Sequence, residues 1–341
     1  MSNPPSLRQL LATRDNNHRP WTRAFEHRTG VDWHTPTPAN FSTDPVSVVV
    51  PTHNVAHCLP RVLDALQNQR IAGEMEVIVI DDASIDDSTD IIAGHPRVDI
   101  ARRFPQRMGS ASARNLGIEL ASASTVVFVD ADMLLPNHVL ADMGARATAK
   151  TVLLGFRHNR PAHMPPPTVD ERPDLYADHR VSWTPPVGVP LMYSGTVVEE
   201  LRVFHPLDDT DDLRNLGCGA LYHDWDLPRM VVTALLGVPR QAVIDVGGFD
   251  PQFGELGWGC EDTHLGAKLI AHGLRIVPLR QAVGFHLDPP DADAQWKNKL
   301  ASWPATMGLY RHHLSQPPPV QGANMFDEWI RPLVDLCEVL R

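Results

Sequence analysis

Between Val46 and Asp132 the chain alternates short, continuously apolar runs with amphipathic stretches. Val46-Ser47-Val48-Val49-Val50, Glu76-Val77-Ile78-Val79-Ile80 and Thr125-Val126-Val127-Phe128-Val129 are rich in β-branched residues and carry apolar residues at consecutive positions. That is the pattern of strands covered on both faces. Leu59, Val62, Leu63 and Leu66 recur at helical spacing, and the rhythm predicts a short helix near Asp87 to Ala93, a strand near Val98 to Ala101 and a helix from about Ser110 to Leu120. The alternation implies an α/β fold with a mostly parallel central sheet flanked by helices. Ligands of such sheets bind at the carboxyl ends of the strands. Here those ends bring Pro51-Thr52-His53-Asn54, Asp81-Asp82 and Asp130-Ala131-Asp132 to one edge.

From about Gly155 to Arg240 the rhythm fades and prolines gather, at Pro161, Pro165, Pro166, Pro167, Pro173, Pro185, Pro186 and Pro190. The acidic run Asp208-Asp209-Thr210-Asp211-Asp212 inside this stretch reads as a solvated loop, with a second metal site or an acceptor contact as the alternative. Order returns at Met230-Val231-Val232 and Ala242 to Asp250. A helix follows over Glu261 to His272, stopped by Gly273, then strands near Leu274 to Val277 and Ala282 to Phe285. Helices are expected near Gln295 to Leu300 and Met325 to Leu340. Residues 1–44 are polar with little periodicity beyond Leu7, Leu10 and Leu11, and read as an extension draped on the domain or partly mobile. The expected organisation is an extension over 1–44, a domain over 45–290 and a helical extension over 291–341. The domain divides into a first half (45–155), a Pro-rich insertion (156–229) and a second half (230–290).

Composition narrows the function. With 30 Lys and Arg against 41 Asp and Glu, the net charge of −11 argues against a nucleic-acid partner. The 31 prolines, about 9% of the chain against a usual ~5%, match the irregular stretch just described. Cys58, Cys218, Cys260 and Cys337 are too scattered for a disulfide framework or a structural zinc site. No apolar run approaches the ~20 residues that cross a bilayer, and the start of the chain carries no secretory pattern. The expectation is a cytoplasmic protein without an integral membrane segment.

The chemistry lies in the strand-end acids. Asp130 and Asp132 flank Ala131 directly after a buried strand, and two carboxylates so close repel unless a cation such as Mg2+ or Mn2+ is held between them. That ion can bind a diphosphate. Asp81-Asp82-Ala83-Ser84 caps a strand and reads equally as a turn with a helix N-cap or as a contact to a base or ribose. In Trp258-Gly259-Cys260-Glu261-Asp262 the acids suit the first turn of a helix, while Asp262 is also a candidate general base beside Trp258. Gly254, Gly257 and Gly259 would let backbone and substrate approach closely. His286 ends a strand and is either a structural histidine or a third metal ligand. Six acids, Asp81, Asp82, Asp130, Asp132, Glu261 and Asp262, are thereby assigned to one cleft.

Taken together, the segments Val46 to Asn54, Val77 to Ser84, Ala113-Arg114-Asn115-Leu116-Gly117 and Asp130-Ala131-Asp132 resemble family 2 glycosyltransferases of the GT-A fold, whose sheet is Rossmann-like. Gly247-Gly248-Phe249-Asp250 through Gly257 to Asp262 resembles the carboxyl-terminal motif of chondroitin-polymerase and galactosyltransferase-type enzymes. The resemblance implies a metal-dependent, inverting glycosyltransferase whose donor is a nucleotide sugar, most often a UDP-sugar, and whose acceptor is a small molecule, glycan or peptide. It implies that 45–155 is the nucleotide-binding half, 156–229 the acceptor-side insertion and 230–290 the acceptor or catalytic half of a glycosyltransferase domain. It implies donor contacts at Pro51, Thr52, His53, Asn54, Asp82, Arg114, Asn115, Asp130 and Ala131. Metal ligation falls to Asp130, Asp132 and His286, catalysis to Asp262, and the acceptor side to Trp258, Gly259 and Glu261. His53 stands where the family commonly has Tyr, and no motif of a processive membrane-embedded polymerase is present. Rival readings are a nucleotidyltransferase releasing pyrophosphate and a non-catalytic nucleotide-sugar-binding protein.

Overall fold

The computed structural model describes residues 4–38, 41–168, 170–182, 211–216 and 226–341. Among these, nine strands form one sheet: β1 Val46–Thr52, β2 Met75–Asp81, β3 Ile100–Arg103, β4 Thr125–Val129, β5 Met133–Leu134, β6 Thr151–Arg160, β7 Leu235–Pro239, β8 Arg275–Leu287 and β9 Glu338–Val339. Their order is β5-β8-β6-β7-β4-β1-β2-β3-β9. The block β3-β2-β1-β4 is parallel throughout, with Thr52 opposite Asp81 and Val49 opposite Phe128. Beyond β4 the sheet is mixed: β7 runs antiparallel to β4 and β6, β6 and β8 are parallel, and β5 closes antiparallel on β8.

The continuous apolar runs are explained by two cores. In β1, Val49 belongs to one buried cluster with Leu116, Phe249, Leu265 and Phe326, while Val48 and Val50 belong to another with Leu63, Val127, Met143 and Trp33. Because side chains alternate along a strand, a sheet buried on both faces needs apolar residues at every position. The helix Ser110–Leu120 lies where its periodicity predicts, and Ser88–Gly94 and Glu261–Ala271 are offset by a residue at most.

Two expectations change and a third is narrowed. Of the draped and mobile readings of the first 44 residues, the described part follows the draped one, as a layer packed on the domain. Ser6 caps the helix Leu7–Leu11 in a reciprocal pair with Gln9, the Asn16 side chain exchanges hydrogen bonds of 2.8 and 2.7 Å with the backbone of Ile276, and the buried Arg146 guanidinium donates to the carbonyls of Trp33 and Thr35. Single anchoring residues hold this layer, so no periodic stripe advertises it. The stretch in which the rhythm fades contains most of β6 and all of β7, a continuous strand that includes Gly237 and ends at Pro239. Finally, the strands expected near Leu274 and Ala282 are one strand, β8, with a register shift opposite Gly155 and a proline, Pro278, within it. The helices expected near Gln295 and Met325 span Ala292–Ser315 and Gly322–Leu336. In the acidic run, residues 208–210 lie outside the described residues, as do Pro185, Pro186 and Pro190, whereas Asp212 pairs with His18 Nε2 at 2.7 Å.

Candidate functional site

Sheet register brings the acids together. Asp130 follows β4, and its N–H donates to the Ala234 carbonyl at 3.1 Å, which places Thr233 beside it. The pairing of Met133 with His286 and the bond from Leu287 N–H to the Asp132 carbonyl (2.9 Å) set His286 against Asp132. His286 Nε2 stands 3.4 Å from Asp132 Oδ1. Ligand atoms of Asp130, Asp132 and His286 all lie within 4.8 Å of one another. Asp132 Oδ1 is buried without a hydrogen-bond partner, which is costly unless something else satisfies it, while His286 Nδ1, the ring nitrogen away from Asp132, stands 3.4 Å from Asp288 Oδ1. Two carboxylates and an imidazole around one unsatisfied carboxylate oxygen fit a hard divalent cation. Burial raises the pKa of Asp132 and the Asp130 charge adds to it, while the charges of His286, Lys299 and Arg157 act to lower it.

A second group abuts this one. The Arg114 guanidinium, 6% exposed, sits 3.0 Å from Asp130, 3.8 Å from Glu261 and 3.8 Å from Asp262. One cation thus serves three carboxylates. Glu261 is pushed up to about 7 by burial and then by the Asp262 charge, against the pull of Arg114. Asp262 is raised by burial, with Arg114 and Thr233 opposing. Its two oxygens are oriented by one residue: the Thr233 N–H donates to Oδ2 (3.1 Å) and the Thr233 hydroxyl to Oδ1 (2.9 Å). A carboxylate held in place and kept short of full charge stabilisation suits a general base.

At the β1 and β2 ends, the Asp82 carboxylate accepts the N–H groups of Met108 (2.6 Å) and Gly109 (2.9 Å), so it shapes the loop entering Ser110–Leu120. The Asp82 carbonyl lies 2.7 Å from His53 Nδ1, Asn54 Nδ2 is 3.2 Å from His53 Nε2, and Asn54 Oδ1 accepts from Ile85 N–H. His53 is therefore pinned by its ring nitrogens. Among the described residues the non-glycine positions with positive φ are Asn54 (53°), Ala83 (57°) and Cys260 (70°). All three lie in turns of this site, in keeping with the tendency of backbone strain to gather at functional positions.

Some expected positions have other employment. Asp81 is fully buried, accepting from Ser84 N–H and the Thr89 hydroxyl, so it builds the turn and does not face the cleft. Asn115, also fully buried, exchanges two hydrogen bonds with the Phe249 backbone. Gly257 and Gly259 have φ of 131° and 105°, and a Cβ there would strike Ser302 and the Trp303 ring. Close approach is their role, but what approaches is the chain's own helix Ala292–Ser315. Trp258 packs near Trp296 and Trp303, each 5.8 Å away, with Lys299 Nζ 5.3 Å from its ring centre. Pro51, Thr52 and Ala131 lie at the strand ends as expected. Thr233, Lys299 and Arg157 were not anticipated. Only the antiparallel β4–β7 register, which nothing in the sequence announces, would have pointed to Thr233.

Residues 47–180 match the family model described as glycosyl transferase family 2, and residues 216–287 that of the N-terminal domain of galactosyltransferase. Validoxylamine A glucosyltransferase of Streptomyces hygroscopicus subsp. jinggangensis (strain 5008) is 32% identical over 257 residues, 70% of this chain and 54% of that protein. Chondroitin synthase of Escherichia coli is 25% identical over 271 residues, 72% of this chain and 35% of that one. The chain spans about half the length, or less, of these relatives. Mannosyltransferase PcManGT from Pyrobaculum calidifontis, in complex with GDP-Man and Mn2+, has a TM-score of 0.52 at 17% identity, covering 95% of this chain and 81% of that one. S. aureus TarS 1-349 in complex with UDP-GlcNAc has a TM-score of 0.50 at 16% identity, covering 85% and 71%. The chain has the GT-A fold, and over the two matched segments it is similar to family 2 glycosyltransferases and galactosyltransferases. These relatives support a sugar-transfer function. No helix of the described residues is long and apolar enough to cross a membrane.

Proposed function

We propose that the chain is a metal-dependent, inverting glycosyltransferase acting on a nucleoside-diphosphate sugar, with a UDP-sugar as donor and a hydroxyl as acceptor. The observation that carries this reading is the meeting of a cation-ready set, Asp130, Asp132 and His286, with a buried acid pair, Glu261 and Asp262, through one shared arginine. A Mn2+ or Mg2+ ion held by that set would supply charge stabilisation to the departing diphosphate.

Thr52, His53, Asn54 and Asp82 lie at the strand ends where the nucleoside would bind. Asp262 takes the proton of the acceptor hydroxyl as that oxygen bonds to the anomeric carbon from the face opposite the leaving group. The bond from the anomeric carbon to the phosphate oxygen breaks, its electron pair leaves with the nucleoside diphosphate, and the configuration inverts. Arg114 stays paired with the acids and limits their mutual repulsion, while Trp258 walls the acceptor side. Because a relative at 32% identity is named as a glucosyltransferase acting on validoxylamine A, UDP-glucose is the first donor to test, with polyhydroxylated cyclic acceptors.

Asp262→Asn should bind UDP with Mn2+ nearly as the wild type does and transfer sugar about 10²–10⁴-fold more slowly. Transfer at the wild-type rate would remove Asp262 from the role of base. Release of pyrophosphate in place of nucleoside diphosphate by the wild type would replace the reaction class.

A further inference from the structure

A second set of ligating groups lies behind the acid-bearing loop, and the proposed sugar transfer makes no use of it. Asp250, His264 and His313 bring a carboxylate oxygen and two imidazole nitrogens within 4.8 Å of one another. The three come from separate elements: Asp250 from the turn after Phe249, His264 from the helix Glu261–Ala271, and His313 from the last turn of Ala292–Ser315. Asp250 and His264 are 3% and 6% exposed.

We infer that Asp250, His264 and His313 form a binding site for a transition-metal dication of the Zn2+ type, separate from the Asp130–Asp132–His286 set. Imidazole and carboxylate are the ligands such an ion takes. His264 Nδ1 is buried and has no hydrogen-bond partner. His313 Nε2 is 2.7 Å from Asp250 Oδ2, an ion pair when the ring is protonated, so this imidazole and the carboxylate already face each other. The two imidazole rings are stacked, 4.3 Å between centroids with 8° between their planes, so one ring turns for both to reach a single ion; Phe253 packs 5.4 Å from one and 5.9 Å from the other. An apolar wall of this kind excludes water and strengthens ligation.

Protonation is compatible with ligation. Burial, with the charges of Lys268 and His313, holds His264 well below its ordinary pKa, so it is neutral as a ligand must be. Lys268, one turn further on, is the opposing cation; burial lowers it to about 8, so its repulsion fades as the pH rises.

The location gives the site a consequence. Asp250 and His264 bracket residues 251–263, which contain Trp258, Glu261 and Asp262. His313 belongs to the helix whose Ser302 hydroxyl accepts from Trp258 N–H at 2.9 Å and whose Thr306 hydroxyl donates to the Trp258 carbonyl at 3.3 Å. An ion on these three residues would brace the loop from behind.

The test uses the whole chain carrying Asp132→Asn, which disables the donor-edge set, stripped with EDTA and titrated with Co2+ and Zn2+ without donor or acceptor. One equivalent of either ion should bind, Co2+ should develop visible d–d absorption, and Zn2+ should raise the melting temperature. Adding His313→Gln, at a partly exposed position, should weaken Zn2+ binding beyond the ~100-fold that loss of an outer partner costs and abolish the melting shift; Asp250→Asn should do the same. Absence of a stoichiometric ion in the Asp132→Asn protein, or binding unchanged by either variant while both retain wild-type circular dichroism, overturns the site. Failure of the sugar-transfer reading would leave this result untouched, because no substrate enters the measurement.

Discussion

The two ligand sets differ in chemistry and in setting. Asp130, Asp132 and His286 offer mostly oxygen, stand partly exposed at the edge of the sheet and share their charge with Arg114. Asp250, His264 and His313 offer mostly nitrogen and pack beside Phe253, with Asp250 and His264 buried and His313 partly exposed. A site that must admit a diphosphate needs hard ligands and open positions; one that fastens elements together needs neither. Proximity of ligands is therefore a poor guide to role until access and donor type are weighed.

That contrast can be broken directly. Asp132→Asn should lower sugar transfer by about 10²–10³-fold, the scale of losing one preorganised charge-stabilising group, whereas His313→Gln should leave kcat within roughly tenfold and act on melting temperature. Equal losses of transfer in both would merge the two sets into one catalytic unit. Next in size is Thr233→Val, which removes the hydroxyl bond to Asp262 Oδ1 and keeps the N–H bond to Oδ2. A hydrogen bond to a charged group is worth about 1.5–3 kcal/mol, so kcat should fall about 10- to 100-fold. The acid limb of the pH profile should move to higher pH, since the lost bond favoured the ionised carboxylate.

A smaller effect concerns pH and stability. Glu261 has a folded-state pKa raised to about 7 from an ordinary 4.5, so the folded protein holds a proton that the unfolded chain has released. The associated stability is fully present below pH 4.5 and is lost as the pH rises through 7. Glu261→Gln should accordingly melt above the wild type at pH 8, with the difference shrinking toward pH 5; a difference constant across that range would contradict the shift. Smallest is Ala83→Gly. Relief of the left-handed conformation, about 1–2 kcal/mol, opposes a glycine entropy cost of about 0.5–1 kcal/mol, so urea unfolding should show no loss, unlike the same change inside a helix.

The sequence was most legible where physical constraint is repetitive. β1, β2 and β4 are buried on both faces, so their apolar runs and the acids at their ends could be read directly. Arg114 was found, but as a donor contact; its position between three carboxylates depends on Asp130 and Glu261 meeting across 131 positions of chain. β7 was hidden because Gly237 and Pro239 are residues that strands usually avoid. Thr233 was hidden with it. The segment 4–38 could be read only as draped or mobile because its anchors, Asn16 and Trp33, meet partners far along the chain, at Ile276 and Pro278.

Gly257 and Gly259 carry a consequence for how chains of this type diverge. Each is pressed against the helix Ala292–Ser315, at Ser302 and Trp303, a segment outside both matched family regions. A bulkier residue at either glycine needs a smaller one on that helix, and a recontoured helix frees the glycines to change. The motif and the tail should thus evolve as a pair, drifting together between lineages, and a chimera that joins one lineage's motif to another's tail should fold poorly even when each half is sound in its own parent.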